Sequence, residues 1–220
     1  MVTAQVPVGA QPEGLATDGA RVWVVLQQDD RLVEIEAATG SKVRTVLLPP
    51  GGEPRPAALA PAVAGRPATV WVLDFGADRV IPVDASSGQV GIPVKACAGP
   101  QALAVSGGTL WVACLSGRLV AVDLVSRRVH GTVHLTAQAG TPDAVTVADG
   151  VVYVALSNGP AVLSVDPATL RVTGRSLLGQ SGPLTKADVD VLVADGQLWV
   201  SSWNEHGVHH DPVGSLGPPP

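Results

Sequence analysis

A chain of 220 residues with 46% hydrophobic and 15% charged side chains can bury a sizeable core, which excludes a disordered polypeptide. A net charge of −5 with no basic stripe excludes nucleic acid as a partner. The longest apolar stretch, 57–73, is broken by Arg66 and by Pro61 and Pro67, so no membrane span is expected.

The first residues, "MVTAQVPVGAQPEG", lack the basic-then-apolar order of a signal peptide. The chain is therefore expected to be either cytoplasmic or the mature part of an extracytoplasmic or secreted protein. With 25 Gly and 19 Pro, frequent turns are expected rather than long helices, and the abundance of Val favours strands.

Taken in order, the chain repeats itself. The runs "RVWVVL" (21–26), "TVWVLD" (69–74), "TLWVAC" (109–114), "VVYVAL" (151–156) and "QLWVSS" (197–202) place Trp23, Trp71, Trp111, Tyr153 and Trp199 at intervals of 48, 40, 42 and 46 residues. A turn sequence such as "TDGA", "SGG" or "ADG" precedes all but the second. Twelve or thirteen residues after each aromatic comes an acid: Glu36, Asp84, Asp123, Asp166 and Asp211. Four of these acids stand in the turns "IEAATGSKV", "VDASSGQV", "VDLVSRRV" and "VDPATLRV", a hairpin signal between two apolar runs. "PEGLATD", "PAALAP", "PQALAV", "PDAVTV" and "KADVDVLVAD" precede the aromatics.

Each unit thus reads as four strands: a ("GLAT"), b ("LWVA", apolar on both faces), c (up to the acid) and d. Five such units of 40–48 residues predict an all-β fold, a β-propeller of about five four-stranded blades. The blades are expected at 9–48, 54–97, 99–137, 141–179 and 185–212. The last is closed by an N-terminal strand, 2–8, because "TAQVPVGAQPEGLA" matches the d-to-a passage of the other units. Residues 213–220, ending "LGPPP", form a Pro-rich tail or linker. A piece of a larger propeller is the alternative.

"ADGQLWV" and "LSVDPATLRVTG" resemble the YVTN- and NHL-type bacterial propeller repeats from about residue 9 to about 212. The resemblance implies architecture; its members include kinase sensor domains, lyases, lactonases and plain binding proteins, so it leaves function open. The streptogramin-lyase type implies a His, a Glu and magnesium near the channel. Here Glu205 and His206 are neighbours on one loop, a departure from that pattern.

Propeller ligands are expected at the end of the blades where the b–c loops and d–a connections emerge. That end would present Asp29, Asp30, Asp74, Asp78, Asp143, Asn158, Asp188, Trp203, Asn204, Glu205 and His206. Acids there either coordinate Ca or Mg through oxygen or only cap their turns. Trp199 is the repeat aromatic, whereas Trp203 reads as an addition peculiar to the fifth unit and a contact for a flat ligand. No confident cofactor emerges, and no nucleophile elbow is present. Cys97 and Cys114 fall at one end of one blade and are read as a disulfide. The expected function is a non-catalytic monomeric propeller that binds a small molecule, peptide or protein. The alternative is a metal-assisted lyase or lactonase.

Overall fold

The computed structural model describes residues 5–62, 66–135, 140–157, 161–177, 189–202 and 207–212, and the structural statements below refer to these. All regular structure is β, in five antiparallel sheets whose strands follow chain order. Sheet 1 contains β1 (Pro12–Thr17), β2 (Arg21–Leu26), β3 (Arg31–Glu36) and β4 (Lys42–Leu47). Sheet 2 contains β5 (Pro54–Ala60), β6 (Thr69–Asp74), β7 (Arg79–Asp84) and the short β8 (Val94–Lys95). These two sheets make up one compact unit, which spans 1–96.

Sheets 3 to 5 belong to a second unit, 97–220. Sheet 3 contains β9 (Pro100–Ser106), β10 (Thr109–Cys114), β11 (Arg118–Asp123) and β12 (Arg128–His134). Sheet 4 contains β13 (Thr141–Ala148), β14 (Val151–Ser157), β15 (Ala161–Asp166) and β16 (Arg171–Leu177). Sheet 5 has three described strands, β17 (Val189–Ala194), β18 (Gln197–Ser202) and β19 (Gly207–Pro212). Among the described residues no helix is long and apolar enough to cross a membrane.

Local sequence dictates the turns. Gly107-Gly108, Asp149-Gly150 and Asp195-Gly196 all have φ between 49° and 83°, the paired left-handed residues of a two-residue hairpin turn between strands a and b. In sheets 2 to 4 the c–d turn is held by its acid. Asp84 Oδ1 accepts from the amides of Ser86 (2.9 Å) and Ser87 (2.8 Å), Asp123 Oδ1 from Ser126 (2.6 Å), and Asp166 Oδ1 from Ala168 (2.7 Å). These bonds favour the ionised carboxylate. The Ser86 hydroxyl, with the Ser87 amide, pulls the Asp84 carboxyl below its ordinary range; the amides of Ser126 and Ala168 do the same for Asp123 and Asp166. Glu36 is lowered chiefly by its hydrogen bond from Arg21.

Within each unit the sheets stack by one rule. The face that carries the repeat aromatic packs on the b and c strands of the next sheet, on the rows beginning one residue before that sheet's own aromatic. In the first unit, Trp23, Val25 and Leu32 meet Val70, Val72, Ile81 and Val83. In the second, Trp111 and Leu119 meet Val152, Val154, Leu163 and Val165, and Tyr153 meets Val191, Leu198 and Val200. A polar clasp adds to the first seam: buried Glu34 is paired with Arg21 (3.2 Å) and Arg44 (2.7 Å), and Arg44 also donates to the Ser86 carbonyl at 2.8 Å. The ladder expected between 2–8 and the fifth sheet is not among the described pairings. Residues 1–4 lie outside the described residues, and 5–8 carry no strand; Val6 and Val8 pack against β2 and β3 of sheet 1.

Candidate functional site

In sheets 1 to 3 the b–c turn is tied to the d–a connection by backbone bonds in register. The amides of Gln27, Phe75 and Leu115 donate to the carbonyls of Gln11 (3.0 Å), Glu53 (3.0 Å) and Gly99 (2.7 Å). The far side of each turn is fixed to the end of strand d: Leu48 to Asp30 (2.8 Å), Ala96 to Asp78 (3.1 Å) and Leu135 to Gly117 (2.8 Å). Asp30 and Asp78 adopt left-handed backbones, φ 48° and 57°, which Asp tolerates better than most residues. Asp29 beside them is exposed, while Asp30 and Asp78 are half-buried.

Asp74 differs from the other acids of this end. It is the last residue of β6, is 1% exposed, and its Oδ2 lies 2.7 Å from Arg79 Nε. Its Oδ1 accepts the Glu53 amide at 3.0 Å. A Cβ on Gly52 would collide with this carboxylate, so the d–a connection passes close only because position 52 is glycine. Asp74 therefore holds the corner together internally. Above it, the guanidinium of Arg55 sits 4.0 Å from the centre of the half-buried Phe75 ring, with Nη2 3.4 Å from Glu53 Oε2.

A recurring irregularity sets the polar residues of strand a. The a–b ladder skips Glu13 in sheet 1, Gln101 in sheet 3 and Asp143 in sheet 4, and in sheet 2 it skips Arg55 with Pro56. Counted from the repeat aromatic's partner, Glu13, Arg55, Gln101 and Asp143 occupy one position, each directly after a proline. A bulge there re-aims the extra side chain and bends the strand. The fifth sheet pairs Val189 with Ser202 without a described shift.

Register also changes the reading of Trp203. The residue four after each repeat aromatic is Gln27, Phe75, Leu115, Ser157 and Trp203, so Phe75 occupies the same place in sheet 2 that Trp203 has in the fifth unit. Counting from the aromatics reveals this equivalence, which the contrast of neighbouring residue types hides. Leu115, also at this position, is 43% exposed. Asn158, Asp188, Trp203, Asn204, Glu205 and His206 themselves lie outside the described residues. Among the described residues no three His, Cys, Asp or Glu side chains are placed to hold one metal ion. In the second unit a disulfide joins Cys97, in the d–a connection, to Cys114, the last residue of β10, with Cα atoms 6.3 Å apart.

No protein-family model matches the sequence, and no curated protein sequence matches it either. Solved structures do resemble it. Over 92% of this chain it superposes on hydrazine synthase of Kuenenia stuttgartiensis with a TM-score of 0.75 at 18% identity, covering 58% of that chain. A streptogramin B lyase matches over 94% of this chain and 70% of its own, with TM-score 0.70 and 13% identity. BamB from Moraxella catarrhalis matches over 88% and 59%, with TM-score 0.57 and 21% identity. At these identities the likeness establishes fold: the chain is a β-propeller repeat protein of about five blades. It spans under two thirds of the hydrazine synthase and BamB chains it matches.

Proposed function

We propose that this chain is a non-catalytic propeller that recognises a peptide, a protein or a small ligand through the end where the b–c turns and d–a connections meet. The observation that carries this reading is the corner of sheet 2. An aromatic ring topped by a guanidinium directly follows Asp74 in the chain, whose buried carboxylate pairs with the half-buried Arg79. Such a corner is rigid, part apolar and part cationic, the chemistry of recognition surfaces enriched in aromatic and Arg side chains. Trp203 extends the same apolar position to the fifth unit.

Residues 1–212 then form one propeller domain followed by a tail, 213–220. The disulfide supports an extracytoplasmic setting, where such bonds persist. A second reading, a metal-assisted lyase or lactonase using Ca or Mg, is favoured by the superposition on a streptogramin B lyase.

Arrays of peptides and glycans probed with the protein separate the two readings. The binding reading expects ligands whose capture is lost in Phe75→Ala and Trp203→Ala while the melting temperature stays unchanged. Capture that survives both substitutions, or a magnesium-dependent opening of a cyclic ester, overturns it.

A further inference from the structure

Sheet 3 ends on its outer side in β12, which pairs with β11 alone; no described strand lies beyond it. The Leu135 amide donates to the Gly117 carbonyl at 2.8 Å, and this bond fixes the alternation along the ladder. Val133 with Leu119 and Gly131 with Ala121 are then the hydrogen-bonded pairs, so the backbone amides and carbonyls of Thr132 and His134 face away from β11. A strand edge of this kind is a template for one more strand.

The side chains along that edge are basic. Arg127, Arg128 and His134 are exposed, as is Arg118, which stands opposite His134 on β11. Sheet 4 adds Arg171, at the register position that Arg128 has in sheet 3. The Leu170 side chain occupies the space that a Cβ on Gly131 would take, so the turn ending at Arg171 packs against β12. Arg118, Arg127, Arg128 and Arg171 form no ion pair and no side-chain hydrogen bond with a described residue. The neighbouring carboxylates, Asp123 and Asp166, accept turn amides instead.

Sheet 1 differs. Its outer-strand cations are engaged within their own unit, Lys42 with the Val8 carbonyl and Arg44 with Glu34 and the Ser86 carbonyl. In a chain of net charge −5, the arginines beside β12 are a concentration of charge that its own acids do not neutralise. Edge charge deters unwanted pairing. Being of one sign here, it turns away basic strands and admits acidic ones.

We propose that the outer edge of β12 receives an acidic, extended segment of a partner protein, which pairs as a further strand and sets its carboxylates against Arg118, Arg127, Arg128 and Arg171. Two observations favour a polypeptide over a polyanionic polymer. The outward backbone groups of Thr132 and His134 suit another strand, and Val125 and Val129, 57% and 42% exposed, lie among the arginines. This surface shares no residue with the corner of sheet 2, so it stands or falls separately from the reading of the loop end.

The test titrates the protein with a fluorescent Glu-Val-Glu-Val-Glu-Val-Glu peptide, with a Lys-Val peptide of the same pattern and a heparin oligosaccharide as comparators. The proposal expects the acidic peptide to bind and the basic one not to. Binding should weaken at least about tenfold, or about 1.4 kcal/mol, in the triple variant Arg118→Gln, Arg127→Gln, Arg128→Gln. Thr132→Pro removes one outward amide at an edge position that tolerates proline. It should weaken peptide binding while leaving any heparin binding and the melting temperature unchanged. If that variant melts early, the acidic peptide methylated at alternate amide nitrogens makes the same comparison on the unaltered protein. Failure of the acidic peptide to bind, equal binding of both peptides, indifference to the triple variant, or peptide binding no more sensitive than heparin binding to the lost backbone bonds overturns it.

Discussion

Removing Arg79 while leaving Asp74 is expected to be the most damaging single change at the loop end of sheet 2, more damaging than removing both. Asp74 is 1% exposed, and its two oxygens are held by Arg79 Nε at 2.7 Å and the Glu53 amide at 3.0 Å. Arg79→Ala leaves a buried carboxylate with one partner, at a cost of about 3–5 kcal/mol. The low end applies here, because the Arg79 side chain is 24% exposed and the pair is partly hydrated.

The equivalent positions offer a natural replacement. Where sheet 2 has Asp74 and Arg79, sheet 4 has Leu156 and Ala161. Asp74→Leu forfeits the acceptor of the Glu53 amide, about 1–3 kcal/mol, and regains about 1.5–3 kcal/mol from a buried leucine. Arg79 then turns to water while keeping its contact with the Pro49 carbonyl, 3.4 Å away. The double variant is therefore expected within about 1 kcal/mol of the parent, with a coupling of about 2–3 kcal/mol between the sites. Urea unfolding of the four proteins, followed by Trp fluorescence, measures this cycle. An Arg79→Ala loss below about 1 kcal/mol, or a double variant as unstable as the sum of the singles, refutes the reasoning.

Replacing Cys97 and Cys114 together with alanine should destabilise the protein by roughly 3 kcal/mol, since the bond closes a 17-residue loop; an unchanged urea midpoint would contradict this. Stability should also fall in acid. Glu36, Asp84, Asp123 and Asp166 all have folded-state carboxyls below their ordinary range, so the unfolded chain binds more protons. Their contribution is full above the ordinary carboxylate range near pH 4 and is lost as pH falls through the lowered values. Asp84→Asn with Asp123→Asn should flatten the slope of unfolding free energy between about pH 2 and 5; an unaltered slope would show that these turns do not set the acid limit.

The stacking architecture was legible because it depends on composition at fixed spacing. Trp23, Trp71, Trp111, Tyr153 and Trp199 recur at intervals that match one sheet, and the acids that follow mark the c–d turns. The details of the loop end were harder to read. Asp74 looks like a solvated loop acid until β6 and β7 are paired and Arg79 is seen opposite it; the short "DFGADR" turn was the available signal. The bulges left no mark in hydrophobic pattern, because an inserted polar residue after proline reads as an ordinary strand start. Phe75 shares its offset from the repeat aromatic with Trp203, a likeness that residue type alone conceals.

The inserted residue on strand a has a wider consequence. Glu13, Arg55, Gln101 and Asp143 sit outside the regular ladder, so neither strand pairing nor the Val-rich stacking rows depend on their identity. Sheets 1 to 4 thereby each carry one position whose side chain the strand pairing itself does not specify. An acid, a base, an amide and a second acid already occupy these four places. One framework thus presents a different polar side chain from each of these four sheets.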